Sequence, residues 1–290
     1  MGGWAPAGQH TGGHGRHFTS RREDRPARNR SSPPVVNKFG LDRIGLQIQS
    51  GKVSPLIINH PVTAQMQSLV ERWEAAHDDR ALFLRCYALM TQNTLAAIQR
   101  DEFNDPEWVS RLLHRFADYY FAAERAYAHD PASAPRVWQL AHAAAADPEL
   151  AALRKLLLGV SAHINYDLVL TLVDVLQPEW AGLAEAQRAG RYADHRRINA
   201  IIGRTIDAVQ DQVLEPAAPA LEIIDALLGP MDELLISQLL ARWRETVWHN
   251  AARLLALEEA AARIALIAAI EQNALDLGAV IYGGARPRRR

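Results

Sequence analysis

Apolar residues recur at intervals of three and four positions through almost the whole chain from residue 62 to residue 277. This spacing lines one side of an α-helix, whereas a half-buried β-strand would show strict alternation. Proline, glycine and aspartate cluster where helices should end, as at Asp130-Pro131 and Gly229-Pro230. Because no internal repeat of fixed period is present, we expect an all-α, single-domain bundle of about eight to ten helices. The pattern places them at 62–76, 79–100, 106–128, 133–146, 149–176, 179–188, 193–214, 217–228, 231–257 and 258–277.

The two ends of the chain differ from its body. Residues 1–38 are rich in Gly, Pro, Arg, Ser and His, and we expect them to form a disordered basic tail. Residues 285–290 form a second basic tail. The tails carry net charges of +5 and +4, so the overall charge of −1 leaves about −10 on residues 39–284. We therefore expect the helical domain, 39–284, to bind no nucleic acid.

Length and composition restrict the class of protein further. A chain of 290 residues with 49% hydrophobic content can bury one substantial core. The single cysteine, Cys86, excludes an internal disulfide and argues against a cysteine-type zinc site. No uncharged apolar run approaches about 18 residues, and no secretory signal opens the chain. We expect a cytoplasmic protein without a membrane partner.

One predicted helix carries polar residues in an otherwise apolar sequence. Residues 154–176 read as a helix that is apolar almost all round, yet they include His163, Asp167 and Asp174 on one side. An ionisable side chain in such a helix is costly unless it is paired or hydrogen-bonded. This stripe predicts either a structural hydrogen-bond network or the floor of a site. The candidate catalytic residues are Asp167, His163 and Tyr166, with Asn165 as a substrate-binding candidate.

Two further helices contribute candidates for substrate binding. In the helix from 193, His195 and Asn199 share a stripe with aliphatic residues, and Asp194 is expected to act as the N-cap. They form either a satisfied polar pair or part of the site.

In the helix at 231–257, Arg242 and His249 continue a stripe that begins at Leu235, and we expect both to face a partner helix. A buried arginine needs an anionic partner. That partner is either Asp167 or Asp174, which makes Arg242 structural, or a substrate anion.

Aromatic residues complete the candidate set. The series from Trp108 to Tyr127 lies on one long helix and is typical of core packing rather than of a cofactor site. Tyr120 is still a candidate for the polar network, because a buried hydroxyl requires a partner. Trp248, on the helix of Arg242, is a further substrate-binding candidate.

Three segments resemble stretches of a helical bacterial family of unknown function. They are residues 162–168 (AHINYDL) after Leu158-Gly159, residues 116–122 (FADYYFA) and residues 244–251 (RETVWHNA). The hexapeptide HINYDL is the hallmark of this resemblance, which covers roughly residues 62–255. The resemblance implies an all-α fold, a bacterial source and a setting in specialised metabolism. It implies no settled activity.

The residues leave several functions open. The first is metal-free acid/base chemistry without a cofactor, in which Asp167 is the base, His163 tunes it, and Arg242 with His249 holds an anionic group. It suits elimination or intramolecular ring closure, such as formation of a small nitrogen ring, on a small anionic or amine-bearing substrate. The second is metal-dependent hydrolysis of the helical phosphodiesterase type, for which further ligands are missing. The third is a non-enzymatic interaction module. A homo-oligomer or a partner subunit is compatible with each.

Overall fold

The computed structural model describes residues 60–217 and 233–283, and every regular element in these ranges is helical. The all-α prediction is confirmed. The predicted tails, residues 39–59 and the predicted helix at 217–228 lie almost wholly outside the described residues. The helices are α1 (Pro61–Ala75), α2 (Arg80–Gln99), α3 (Pro106–His129), α4 (Arg136–Ala145), α5 (Ala152–Ala162), α6 (Leu168–Leu176), α7 (Glu185–Val209), α8 (Glu233–Ala256) and α9 (Ala260–Gly283).

Most helix ends follow from local sequence. Pro61 and Pro106 occupy first-turn positions, where the missing N–H costs nothing, and the Asp105 side chain accepts from Trp108 N. The predicted separate helix at 179–188 is wrong, because residues 177–182 form turns, 183 and 184 are irregular, and α7 then runs unbroken from Glu185. Nor does Pro216 end α7, which continues through a π-helical turn at Gln210–Leu214 to Ala217.

The buried side chains form two clusters that meet around residues 163–168. The first includes side chains of the helices α1 through α5, among them Phe83, Tyr120 and Trp138. The second joins the start of α3 to α6, α7 and α8 and includes Leu168 and Trp248. All the helices of the described ranges belong to one compact unit. The junction between the two clusters positions the candidate site.

Within residues 60–217 and 233–283, two helical stretches are long and apolar enough to cross a membrane by length and composition alone. The first, Ala152–Leu176, is 72% buried over its apolar window and is the core element that carries the HINYDL segment. The second, Ala260–Gly283, is only 17% buried over its window. Its outward residues include Ile264 and Val280, which are 69% and 61% exposed. Burial in the core accounts for the composition of the first stretch and not for that of the second.

Candidate functional site

A π-helical turn, His163–Asp167, joins α5 to α6. Such a turn inserts one residue into an α-helix, and turns of this kind occur often at functional sites. Thr171 Oγ1 donates to the Asp167 carbonyl at 2.8 Å, and Asn165 Nδ2 donates to Ser161 Oγ at 3.1 Å. These bonds secure the backbone on which the polar residues of HINYDL are displayed.

His163 and Asp167 form a buried pair. His163 Nδ1 lies 2.9 Å from Asp167 Oδ2, and the same oxygen accepts from Trp138 Nε1 on α4 at 2.9 Å. The residues are 3% and 1% exposed, respectively. The other ring nitrogen, His163 Nε2, is buried and has no hydrogen-bond partner among the described residues. Asp167 thus holds one side of the imidazole and leaves the other unused.

Aromatic rings surround the imidazole of His163. Phe116 stacks on it with ring centroids 3.5 Å apart and planes 8° apart. Tyr87 and Phe83 meet it edge-on at 4.3 Å and 5.6 Å. Phe83 is in turn held against α5, because a Cβ at Gly159 would come within 2.6 Å of its ring. The rings keep water away and fix the plane of the imidazole.

Burial shifts both members of the pair toward their uncharged forms. It raises the pKa of the Asp167 carboxyl well above its usual value, and the hydrogen bond from Trp138 opposes this shift. Burial also lowers the pKa of the His163 imidazole well below its usual value. The favoured form places the shared proton on Asp167, which then donates to Nδ1, so that the remaining imidazole proton sits on Nε2.

A second buried polar group centres on Arg244 of α8, which is 3% exposed. Its Nε donates to Asn199 Oδ1 at 2.7 Å, and its Nη2 donates to the His195 carbonyl at 2.6 Å. His195 Nε2 lies 3.0 Å from the Arg244 carbonyl and must be its donor, so Nδ1 is free to accept from Nη2 at 3.3 Å. Burial, and then the Arg244 charge, lower the pKa of His195 well below its usual value. His195 is therefore neutral.

Arg244 has no counterion among the described residues. Its hydrogen-bond acceptors are an amide, a backbone carbonyl and a neutral imidazole, and burial lowers its pKa to about 9. The side chain still carries its charge at neutral pH. A buried guanidinium without a carboxylate is an unusual and costly arrangement.

His163 and Arg244 both line a cavity of about 200 Å³ at the junction of the two core clusters. Its walls come from α2, α3, α5, α6, α7 and α8 and are almost entirely aliphatic and aromatic. Asp167 is not among the lining residues. A pocket of this kind suits a small ligand with an apolar body and few polar groups.

The predicted inward positions of Arg242 and His249 are wrong. Both are exposed, as are Leu235, Leu239 and Thr246 on the same stripe. His249 Nε2 lies 3.1 Å from Glu245 Oε1 at the surface. The predicted pairing of Arg242 with Asp174 is wrong too, because Asp174 accepts from Arg115 and Tyr119 on α3. The inward face of α8 carries Arg244 instead.

The other sequence candidates occupy different surroundings. Tyr166 is half-buried and outside the cavity lining, and burial raises its pKa to about 12. Tyr120 is buried with its ring centroid 6.0 Å from that of His163, and its hydroxyl has no partner in the described part of the chain. Trp248 packs 5.3 Å from the His195 ring. Asp194 lies inside α7 and is therefore not its N-cap.

Sequence reasoning missed Trp138 and Arg244. A tryptophan N–H usually finds a partner when buried, so Trp138 on the amphipathic helix α4 was a signal that a buried acceptor would face it. Arg244 is the first residue of the 244–251 segment, but the face of its helix that was predicted to point inward was the opposite face, which carries Arg242. Over residues 60–217 and 233–283, no group of three or more His, Cys, Asp or Glu side chains is placed to hold a metal ion.

Comparison with known proteins identifies one family. The model of a family of unknown function, DUF5995, matches residues 60–283. The chain belongs to this family. No curated protein and no solved structure matches the chain. The DUF5995 match covers every helix described above, including the turn that carries His163 and Asp167.

Proposed function

We propose that this DUF5995 protein is a small-molecule enzyme that performs metal-free proton transfer inside the cavity, with His163 as the residue that exchanges a proton with the substrate. The observation that carries the proposal is the unpartnered Nε2 of His163 on a buried ring whose Nδ1 is held by Asp167. His163 lines the apolar cavity, and an imidazole nitrogen without a partner can act as a general acid or base toward a reactant bound there.

The pair can accept and return one proton. In the anionic form, Asp167 is ionised, Nδ1–H donates to it, and the lone pair of Nε2 is free to take a proton from the reactant. When Nε2 takes a proton from the substrate, the Nδ1 proton moves to Asp167, so the pair ends uncharged. The reverse transfer returns the proton to the leaving group or product. Asp167 positions the ring and stores the second proton, whereas the sequence alone suggested Asp167 as the base.

The cavity favours reactions that water would intercept. Aliphatic and aromatic walls keep solvent from an electrophile held near His163. We propose elimination or intramolecular ring closure as the reaction type, with closure of a small nitrogen ring and loss of an anionic leaving group as one form. The substrate is a small anionic or amine-bearing molecule of bacterial specialised metabolism, and the enzyme is cytoplasmic. The HINYDL segment, 163–168, is the proposed functional signature of the family.

A substrate-independent test uses 5-nitrobenzisoxazole, a small apolar molecule that reports a base in a dry pocket. The base removes the ring C–H proton, the C–H electron pair forms the nitrile, the N–O bond breaks, and a coloured phenolate is released. We expect the protein to accelerate this reaction and His163→Gln to lower the rate at least about tenfold, since a general base contributes about 10²- to 10⁴-fold. The wild-type rate should rise with pH, because burial raises the pKa of Asp167 and the anionic form appears only above it.

Matched variants separate this proposal from a structural role. His249→Gln changes an exposed histidine and should leave the rate unchanged. Ile198→Trp introduces a bulky ring at a half-buried lining position and should lower the rate even if His163→Gln folds poorly. Circular dichroism checks the fold of each variant. A wild-type rate equal to that of a correctly folded His163→Gln protein contradicts the proposal.

A further inference from the structure

The charge of Arg244, which no described carboxylate neutralises, lies in the wall of a cavity with no other cation in its described lining. We infer that Arg244 binds the carboxylate of a small monocarboxylic acid whose apolar body fills the cavity. This inference names the substrate class of the proposed enzyme, and its relevance to catalysis rests on that proposal. The binding itself does not depend on proton transfer by His163.

Electrostatics supports an anionic partner. Arg244 is 3% exposed, and its guanidinium bonds only to neutral groups of the described chain. Leaving a buried cation uncompensated is expensive, and a carboxylate supplies both the opposite charge and charge-assisted hydrogen bonds. Nη1 donates to none of the described residues and is available for a ligand.

The surroundings of Arg244 fix the direction of its guanidinium. Asn199 holds Nε, and the carbonyl of His195 holds Nη2. The neutral His195 ring is itself held by the Arg244 carbonyl, so the two residues lock each other. A cation that is already oriented loses little conformational freedom when it binds an anion.

Most of the rest of the cavity wall is aliphatic or aromatic and favours an apolar body. The hydroxyls of Thr94 and Thr205 donate to carbonyls of their own helices, Met90 at 2.8 Å and Ile201 at 2.7 Å, whereas the lining hydroxyls of Tyr87 and Thr91 are buried without a partner among the described residues. A dry cavity of about 150 Å³ holds benzene. The volume of about 200 Å³ found here accommodates a somewhat larger hydrocarbon group.

A carboxylate fits better than a phosphate. A phosphate monoester carries about −1.5 to −2 charges at neutral pH. One buried arginine would leave part of that charge uncompensated in an apolar cavity, whereas it neutralises a single carboxylate. The planar guanidinium also matches the planar carboxylate.

Isothermal titration calorimetry of the full chain at neutral pH tests the inference with three probes: octanoate, octan-1-ol and inorganic phosphate. We expect octanoate to bind about 10- to 100-fold more tightly than octan-1-ol, in keeping with the strength of charge-assisted hydrogen bonds. Phosphate should bind more weakly than octanoate. Arg244→Met should abolish the preference for octanoate over octan-1-ol.

Two further variants keep the test independent of folding defects. Asn199→Asp places a carboxylate where Oδ1 accepts from Nε at 2.7 Å, so it neutralises Arg244 internally and should lose octanoate binding while keeping the fold. Arg242→Met removes an exposed arginine two residues away and should bind octanoate as the wild type does.

Several outcomes overturn the inference. They are equal binding of octanoate and octan-1-ol, no binding of octanoate, phosphate binding as tightly as octanoate, octanoate binding that survives Asn199→Asp, and an equal loss in Arg242→Met. If octanoate does not bind but the wild type still converts 5-nitrobenzisoxazole faster than His163→Gln does, only the inferred substrate class is wrong. If octanoate binds but the wild type and His163→Gln convert 5-nitrobenzisoxazole at the same rate, the anion site is supported and the enzymatic proposal is wrong.

Discussion

His163 Nδ1 and Asp167 Oδ2 lie 2.9 Å apart within one π-helical turn, and Trp138 Nε1 donates to the same oxygen. Nδ1, on the side of the ring that faces Asp167, therefore has a fixed partner. Nε2, on the other side of the ring, has no partner among the described residues. The pair therefore combines a rigid attachment with one unused nitrogen. Its stability and its chemistry can be separated by substitutions at Asp167.

Asp167→Asn should leave the free energy of unfolding at neutral pH unchanged or raise it. Burial raises the pKa of Asp167, so folding at neutral pH takes up a proton that the unfolded carboxylate lacks, whereas an amide is close to the protonated carboxyl in shape and takes up none. Asp167→Ala should be about 2 to 4 kcal/mol less stable than Asp167→Asn, because it leaves Trp138 Nε1 buried without an acceptor and opens a cavity. Urea unfolding of both variants measures the difference. Equal stability of the two would show that the hydrogen bond from Trp138 contributes nothing.

Gly159→Ala should destabilise the protein by about 1 to 3 kcal/mol, because the added Cβ meets three atoms of Phe83 at 2.6 to 2.8 Å. The displaced ring would also disturb the packing around His163. Gly190→Ala is the matched control, since a Cβ there meets nothing within 4 Å and replacing a helical glycine gains up to about 1 kcal/mol. Thermal melts of the two variants should shift in opposite directions. A neutral Gly159→Ala would mean that Phe83 moves freely.

Acid should destabilise the fold through buried neutral histidines. Burial and the nearby Arg80 lower the pKa of His142 to about 3, whereas the unfolded value is about 6.5. Between these values only the unfolded chain binds the proton, so this contribution is complete above about pH 6.5 and is lost as the pH falls. From pH 6.5 to 4.5 His142 alone should cost about 2 to 3 kcal/mol.

Urea unfolding of His142→Phe at the two pH values measures this effect. The variant should lose correspondingly less stability on acidification, while His129→Gln, at an exposed position, should follow the wild type. Asp167 acts in the opposite sense, because its raised pKa favours the folded state in acid. A wild-type acid dependence that His142→Phe leaves unchanged would contradict the assignment to His142.

Asp194→Ala should cost about 3 kcal/mol or more. This buried carboxylate of α7 accepts from Asn104 N at 2.7 Å, Asn104 Nδ2 at 3.0 Å and Asp105 N at 2.9 Å, and so holds the entry to α3. Removing it leaves donors without an acceptor. Asp207→Ala, an exposed position on the same helix, is expected to change stability by less than about 0.5 kcal/mol. Chemical unfolding compares them, and similar values for both would refute the role of Asp194.

The sequence alone determined the elements of this protein and one pair in its candidate site. Helical periodicity and proline positions predicted most helix ends, because both act within a few residues. The pairing of His163 with Asp167 was also local, since residues four apart share one face of a helix. The joining of residues 185–188 to the next helix was not predicted, because Gly190, a residue that weakens helices, lies between them and local sequence does not show whether a helix continues through it.

Only the tertiary structure decided which arginine faces the interior. Positions 242 and 244 differ by about 200° around a helix, and leucines line both sides of α8. Leu235 is 53% exposed, so the apolar stripe that led to Arg242 faces outward, whereas Leu240 is buried on the side of Arg244. The bond from Trp138 to Asp167 likewise joins residues from separate helices. Local periodicity identifies faces of helices, and the packing of distant helices selects which of them becomes the cavity wall.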